Sequence, residues 1–70
     1  MEIIRQRIRE EILNSKYSQS ELARLLGIKQ QSVNDYCRMK TLPALDTLAK
    51  LCMLLDIDAN YILGITDYNN

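Results

Sequence analysis

Ser18-Gln19-Ser20-Glu21-Leu22-Ala23-Arg24-Leu25-Leu26-Gly27-Ile28 is the stretch on which the fold turns. It opens on an S-x-x-E capping box, in which the Ser18 hydroxyl and the Glu21 carboxylate each accept a backbone N–H that a new helix leaves unpaired. A helix therefore starts at Ser18. Leu22, Leu25 and Leu26 fall on one side of it, and Gly27, which has no Cβ, suits the left-handed conformation that ends it. A few residues later Val33, Tyr36 and Cys37 mark the inward stripe of a further helix, about residues 29 to 38. Its polar side holds Gln30, Gln31, Asn34 and Arg38. Two short helices meeting at a glycine turn, within residues 18 to 38, form a helix-turn-helix.

Outward from this pair the helical period continues. Ile4, Ile8 and Ile12, with Leu13 beside them, recur on a segment otherwise filled by Arg, Gln and Glu, which predicts an amphipathic helix over about residues 2 to 14. Pro43 suits the first turn of a fourth helix, where its missing N–H costs nothing. Leu45, Leu48, Cys52 and Leu55 give that helix its core face, and Asp46 suits the positive end of its dipole. Asp58 caps a last short helix, Asn60 to Leu63, closed by Gly64. The ending over residues 65 to 70 is expected to fray. No two-residue alternation and no Asn-Gly or Asp-Gly hairpin signal interrupts the pattern. The predicted fold is all-α, a compact five-helix domain spanning residues 1 to 70 with the helix-turn-helix at its centre.

A chain of 70 residues is one domain with a small core, burying only about 60% of the surface its unfolded form exposes. There is no histidine, so the commonest general base and the usual partner of a nucleophilic Ser or Cys are missing. Cys37 and Cys52, the two cysteines, lie in apolar-periodic segments and read as small core residues kept as thiols. Two cysteines without histidine do not complete a tetrahedral zinc site unless carboxylates or a second chain contribute, and no cofactor or small-molecule ligand is expected. The longest uninterrupted apolar run, Leu51 to Leu55, is far short of the roughly 20 residues a membrane span takes. The first residues become charged too quickly for a secretory signal, so the expected compartment is the cytoplasm. Net charge is zero, yet its distribution is polar: residues 1 to 40 carry 8 basic and 5 acidic side chains, residues 41 to 70 carry 1 and 4.

The same residues carry a resemblance. Ser18 to Ile28 followed by Gln30-Gln31-Ser32-Val33 resembles the helix-turn-helix of the phage Cro and repressor family, also called the XRE family. Pro43, then Leu45-Asp46-Thr47-Leu48-Ala49-Lys50-Leu51 and Tyr61-Ile62-Leu63-Gly64, is similar to the rest of that domain. The resemblance implies roles for the matched residues: Ala23 lets the two helices cross closely, while Ile28 and Val33 pin the second helix to the core. It also implies a docking mode, since a major groove about 12 Å wide admits one helix. The third helix would then read bases, with Gln30, Gln31 and Asn34 as adenine-reading amides; Asp35, a departure at the edge of that face, either accepts from a cytosine amino group or repels nearby phosphates. Gln19 is implied as a phosphate contact, and Lys29, Ser32, Arg38 and Lys40 flank the groove as further phosphate contacts. The sequence departs from the family at Lys29, where a Ser or Thr cap is usual, at Cys37, where Glu is usual, and at Met39, where Gly is frequent. The loop after the third helix is accordingly expected to run differently.

The family habit is to pair two copies on a two-fold-related operator, so a homodimer on double-stranded DNA is expected. Met53 and Leu54 fall away from the core stripe of the fourth helix, and with Tyr61, Ile65 and Tyr68 they form the candidate self-association surface. The competing arrangement is that the fifth helix folds back and covers it. The leading function is a sequence-specific transcriptional regulator, a repressor by family habit. The alternative is a protein-interaction module or antitoxin-type partner, which neutral charge and Asp35 favour.

Overall fold

The computed structural model describes residues 2–68, with five helices in order: α1 (Glu2–Asn14), α2 (Gln19–Leu26), α3 (Gln30–Cys37), α4 (Leu45–Leu55) and α5 (Ala59–Ile62). No strand occurs among the described residues. Asn69 and Asn70, part of the ending expected to fray, lie outside them.

α2 begins as its capping residues dictate. Ser18 Oγ accepts from the Glu21 N–H at 3.1 Å, and Glu21 Oε1 accepts from the Ser18 N–H at 2.9 Å. Hydrogen bonding to the carboxylate from Ser18, first from its backbone N–H and then from its side chain, holds the Glu21 carboxyl below its ordinary range. At α5 the Asp58 carboxylate accepts from the Asn60 N–H at 2.9 Å.

Four of the five helices, all but α1, end on a residue of positive φ. Gly27, at φ 70°, closes α2, with the Gly27 N–H on Arg24 O at 3.2 Å and the Ile28 N–H on Ala23 O at 3.0 Å. α5 closes the same way through Gly64 at φ 78°. α3 does so through Met39 at φ 60°, where the Met39 N–H donates to Tyr36 O at 3.1 Å and the Lys40 N–H to Asp35 O at 2.9 Å. The loop after α3 thus makes the left-handed turn that glycine would make, with a methionine that tolerates a conformation costing about 1–2 kcal/mol. Asp56, at φ 55°, closes α4.

The core gathers Ile8 and Ile12 of α1, Leu22, Ala23 and Leu26 of α2, and Val33, Tyr36 and Cys37 of α3. Leu48, Leu51 and Cys52 of α4 close it, with Ile57 and Ile62. Burial pushes both free thiols, Cys37 and Cys52, above their ordinary pKa. Three sequence expectations need correcting. Leu45 is 84 % exposed rather than inward, because α4 starts at Leu45 itself and its stripe runs through Leu48, Leu51 and Cys52, leaving the first turn beyond the core. Pro43 precedes the helix instead of opening it, and Ala44 is the cap residue. Leu25 is 40 % exposed, since Leu22, Ala23 and Leu26 already fill the side of α2 that faces inward.

Two arginines of α1 tie distant parts of the chain to it. Arg7 donates to the carbonyls of Tyr61 and, at 2.9 Å, Thr66; its guanidinium lies 4.1 Å from the Tyr61 ring centroid and 3.6 Å from Asp67 Oδ1. The start of the ending expected to fray is therefore anchored as far as Asp67. Arg9 Nε donates to the carbonyl of Cys37 at 2.9 Å, supplying a cation to the end of α3, which has no basic residue in its own last turn.

Two outcomes test these ends. A Cβ at Gly27 would meet nothing within 4 Å, so Gly27→Ala is opposed by backbone conformation alone and should cost about 1 kcal/mol in urea unfolding. The Glu21 pKa is lower in the folded chain, so its stabilisation is complete above the ordinary carboxylate range and is lost as pH falls through the lowered value. Glu21→Gln should accordingly be the less stable protein at neutral pH, with the difference between the two unfolding midpoints closing on acidification.

Candidate nucleic-acid interface

α3 is fixed from behind and free in front. Val33 (0 % exposed), Tyr36 and Cys37 sink into the core, which turns the opposite side of the helix to solvent. Gln30 and Gln31 are both exposed there, in the first turn. The Gln30 amide makes no hydrogen bond among the described residues, whereas Gln31 Nε2 donates to Asp35 Oδ1 at 2.9 Å. Asp35 and Ser32 are half-buried on the flanks of this face. The Asp35 carboxylate has a neighbour in Tyr36, whose phenol is pushed above its ordinary pKa by burial first and by that negative charge second.

Asn34 is half-buried and bridges the two helices, its Nδ2 donating to Gln19 Oε1 at 3.4 Å. Gln19 is thereby held at the start of α2 next to the exposed side of α3. The capping box already uses two of the backbone donors at that end of α2, leaving the Gln19 and Ser20 N–H groups toward solvent.

The cations ring α3. Lys29 occupies the cap position in extended backbone, φ −75° and ψ 147°, and its side chain makes no capping bond. It is exposed, as are Arg38 and Lys40 at the other end of the helix. The first turn of α3 holds no acidic residue, so its uncapped N–H groups keep their positive end toward solvent. Gln30, Gln31 and the Gln19–Asn34 bridge thus lie along the exposed side of α3, with Lys29 at one end of that helix and Arg38 and Lys40 at the other. Sequence reasoning did not find Arg9, which holds the end of α3; no spacing rule links it to a carbonyl 28 positions away.

The candidate self-association residues do not gather as one set. Met53 is 80 % exposed and shares a shallow depression with Leu54, Leu25 and Lys50. Leu54 is half-buried, packed on the core. Tyr61 lies under Arg7 against α1, so its ring is already engaged, while Ile65 and Tyr68 are exposed beyond α5. A second apolar groove, which the sequence reading did not anticipate, runs between Leu42, Pro43, Leu45 and Leu63, floored by Ile4 and Ile8.

With this geometry in place, three likenesses to known proteins bear on the chain. Residues 8–62 match the family model described as Helix-turn-helix (HTH_3). The chain is 37% identical over 62 residues to YobD of Bacillus subtilis strain 168, described as an uncharacterized HTH-type transcriptional regulator. That match takes in 89% of this chain but 55% of YobD, so the chain spans about half the length of this curated relative. The solution structure of the SOS-response transcriptional repressor LexA from Eubacterium rectale superposes with a TM-score of 0.77 at 21% identity, covering 87% of this chain and 65% of that one. This last likeness shows a shared fold.

Proposed function

The chain belongs to the helix-turn-helix family of the Cro and repressor type, and from that membership we propose that it represses transcription by occupying operator DNA with α3 in the major groove. The observation that carries the reading is the exposed pair Gln30 and Gln31 on a helix whose other side is locked into the core by Val33. The description of YobD as a transcriptional regulator supports the same reading. A DNA target implies work in the cytoplasm.

In this proposal Gln30, Gln31 and Asn34 face base edges, while Asp35, the sequence candidate for a cytosine amino group, is engaged by Gln31 on the flank of that face. Lys29, Arg38, Lys40, Ser32 and Gln19 meet phosphates, which fix register without carrying sequence information. The Gln19–Asn34 bridge couples the two groups, so Asn34 reads a base only from an amide already partly committed. One such domain contacts few base pairs, and two copies on a two-fold-related site supply the remaining affinity. Met53 with Leu54 in their shared depression is the proposed contact between copies, and the exposed Ile65 and Tyr68 are a further candidate pair; the Tyr61 ring, already engaged by Arg7, drops out of the set.

Duplexes selected from a random pool by the purified chain test this. Gln30→Ala should cost roughly 1–3 kcal/mol on the selected duplex and leave binding to unrelated DNA nearly unchanged. Lys29→Ala should weaken binding to all duplexes and flatten the dependence of log K on log salt by about 1. Absence of binding at low salt would instead assign the domain to protein partners. Sedimentation of the protein with selected DNA should show two chains per duplex; one chain per duplex at saturation would remove the dimer.

A further inference from the structure

Resting on the reading of α3 as a base-reading helix, we infer that Asp35 sets sequence preference through Gln31, by holding its amide in the orientation that accepts adenine and rejects guanine. Gln31 and Asp35 are four residues apart on one helix, a spacing that brings their side chains together, and Gln31 Nε2 donates to Asp35 Oδ1 at 2.9 Å. A carboxylate only accepts hydrogen bonds. The amide must therefore turn its NH2 toward Asp35, because the reverse orientation sets Oε1 against a carboxylate oxygen, acceptor against acceptor.

The consequence lies in what remains. Of the two hydrogens on Nε2 one is committed to Asp35, which leaves one N–H and the Oε1 acceptor side by side for the groove. Adenine presents an acceptor, N7, beside a donor, the N6 amino group, and so matches that pair. Guanine presents two acceptors, N7 and O6. A glutamine free to offer both hydrogens accommodates them, but one that has already given a hydrogen to Asp35 meets O6 with its own oxygen. Asp35 thus converts an adaptable amide into a discriminating one while touching Gln31 rather than the base.

Gln30 is the internal comparison. It is exposed on the same turn, and its amide has no partner among the described residues to fix it. The base pair facing Gln30 is accordingly read with weaker preference for adenine over guanine than the one facing Gln31, although both residues are glutamines.

The test uses the full chain on duplexes selected from a random pool. Gln31→Ala identifies the base pair that Gln31 faces, and A·T is then replaced by G·C at that position alone. The unaltered protein should prefer adenine there by about tenfold, a fold-change within the range of one bidentate pair. Asp35→Ala should cut most of that ratio, Asp35→Asn should cut it in part, and neither should change the ratio at the Gln30 position. Overall affinity is expected to rise in both, since a carboxylate near phosphates is removed, but this scales both duplexes alike and cancels from the ratio. If Asp35→Ala and Asp35→Asn raise affinity and leave the ratio intact, Asp35 acts only as a repulsive charge and the coupling is overturned while base reading stands. An equal loss of preference at every position would mean that Asp35 supports the helix as a whole, which also overturns it. If Gln31→Ala alters no position, base reading by this part of α3 falls, and the coupling falls with it.

Discussion

Everything in this chain depends on burial of the inner side of α3 against α2 and the core. Helices as short as the eight-residue α2 and α3 do not persist alone in water, where fewer than about 12–15 residues rarely suffice. Their order comes from Leu22, Leu26 and Val33, each 2 % exposed or less, with Ala23 small enough to let the pair approach. Because Val33 has no exposed surface at all, α3 cannot roll about its axis without bringing an apolar side chain into water. The same contact that keeps the helix folded thus decides which residues face outward. Gln30 and Gln31 are turned outward by the packing, and hydrogen bonding acts only afterwards, on the Gln31 amide through Asp35.

The second constraint is the repeated left-handed ending. Gly27, Met39, Asp56 and Gly64 all take positive φ, and after each the chain leaves its helix at once. Abrupt exits help five helices fit in so short a chain: α2 to α3 and α4 to α5 take only three residues each, and the longer α3 to α4 connection takes seven. Two of the four positions use glycine, for which this conformation is free. Asp56 is one of the residue types that tolerates it, and Met39 bears the cost at the end of α3, where Arg9 also satisfies the Cys37 carbonyl. Order at that end is therefore set by partners on α1 as well as by the loop itself.

Local signals were legible in the sequence and tertiary ones were not. The Ser18–Glu21 box, the Gly27 stop, the Asp58 cap and the bounds of α1 follow from spacing and hydrogen-bonding capacity over four residues, and each stands in the structure where it was read. Leu45 misled because its place in the α4 period is right, but the core ends before the first turn of that helix, and where a core ends is not written in one helix. Arg7 and Arg9 read as ordinary charges on a wet helix, and only the fold brings Tyr61, Thr66 and Cys37 to them. At the candidate interface the outward residues were legible from periodicity. Their partnerships were partly so: Gln31 with Asp35 obeys the four-residue rule, while Asn34 with Gln19 crosses between helices.

Charge alone is a poor basis for DNA binding in this molecule. Its net charge is zero, and of the groups around α3 the cations Lys29, Arg38 and Lys40 are partly offset by Asp35. The release of counterions from DNA scales with the number of phosphates neutralised, so a handful of lysines and arginines gives a modest, sequence-blind attraction. Discrimination on such a surface has to come from hydrogen-bond geometry, and geometry discriminates only where the donors and acceptors are held in place. Each exposed amide that is free to rotate spends part of its binding energy on being ordered. Two of the three amides on α3 are already ordered, Asn34 by Gln19 and Gln31 by Asp35, and in the second case by the very carboxylate that lowers the attraction to phosphate. On the proposed base-reading role of α3 the exchange is favourable, because a carboxylate that repels all sequences equally costs affinity, whereas an amide it holds still would separate one base from another.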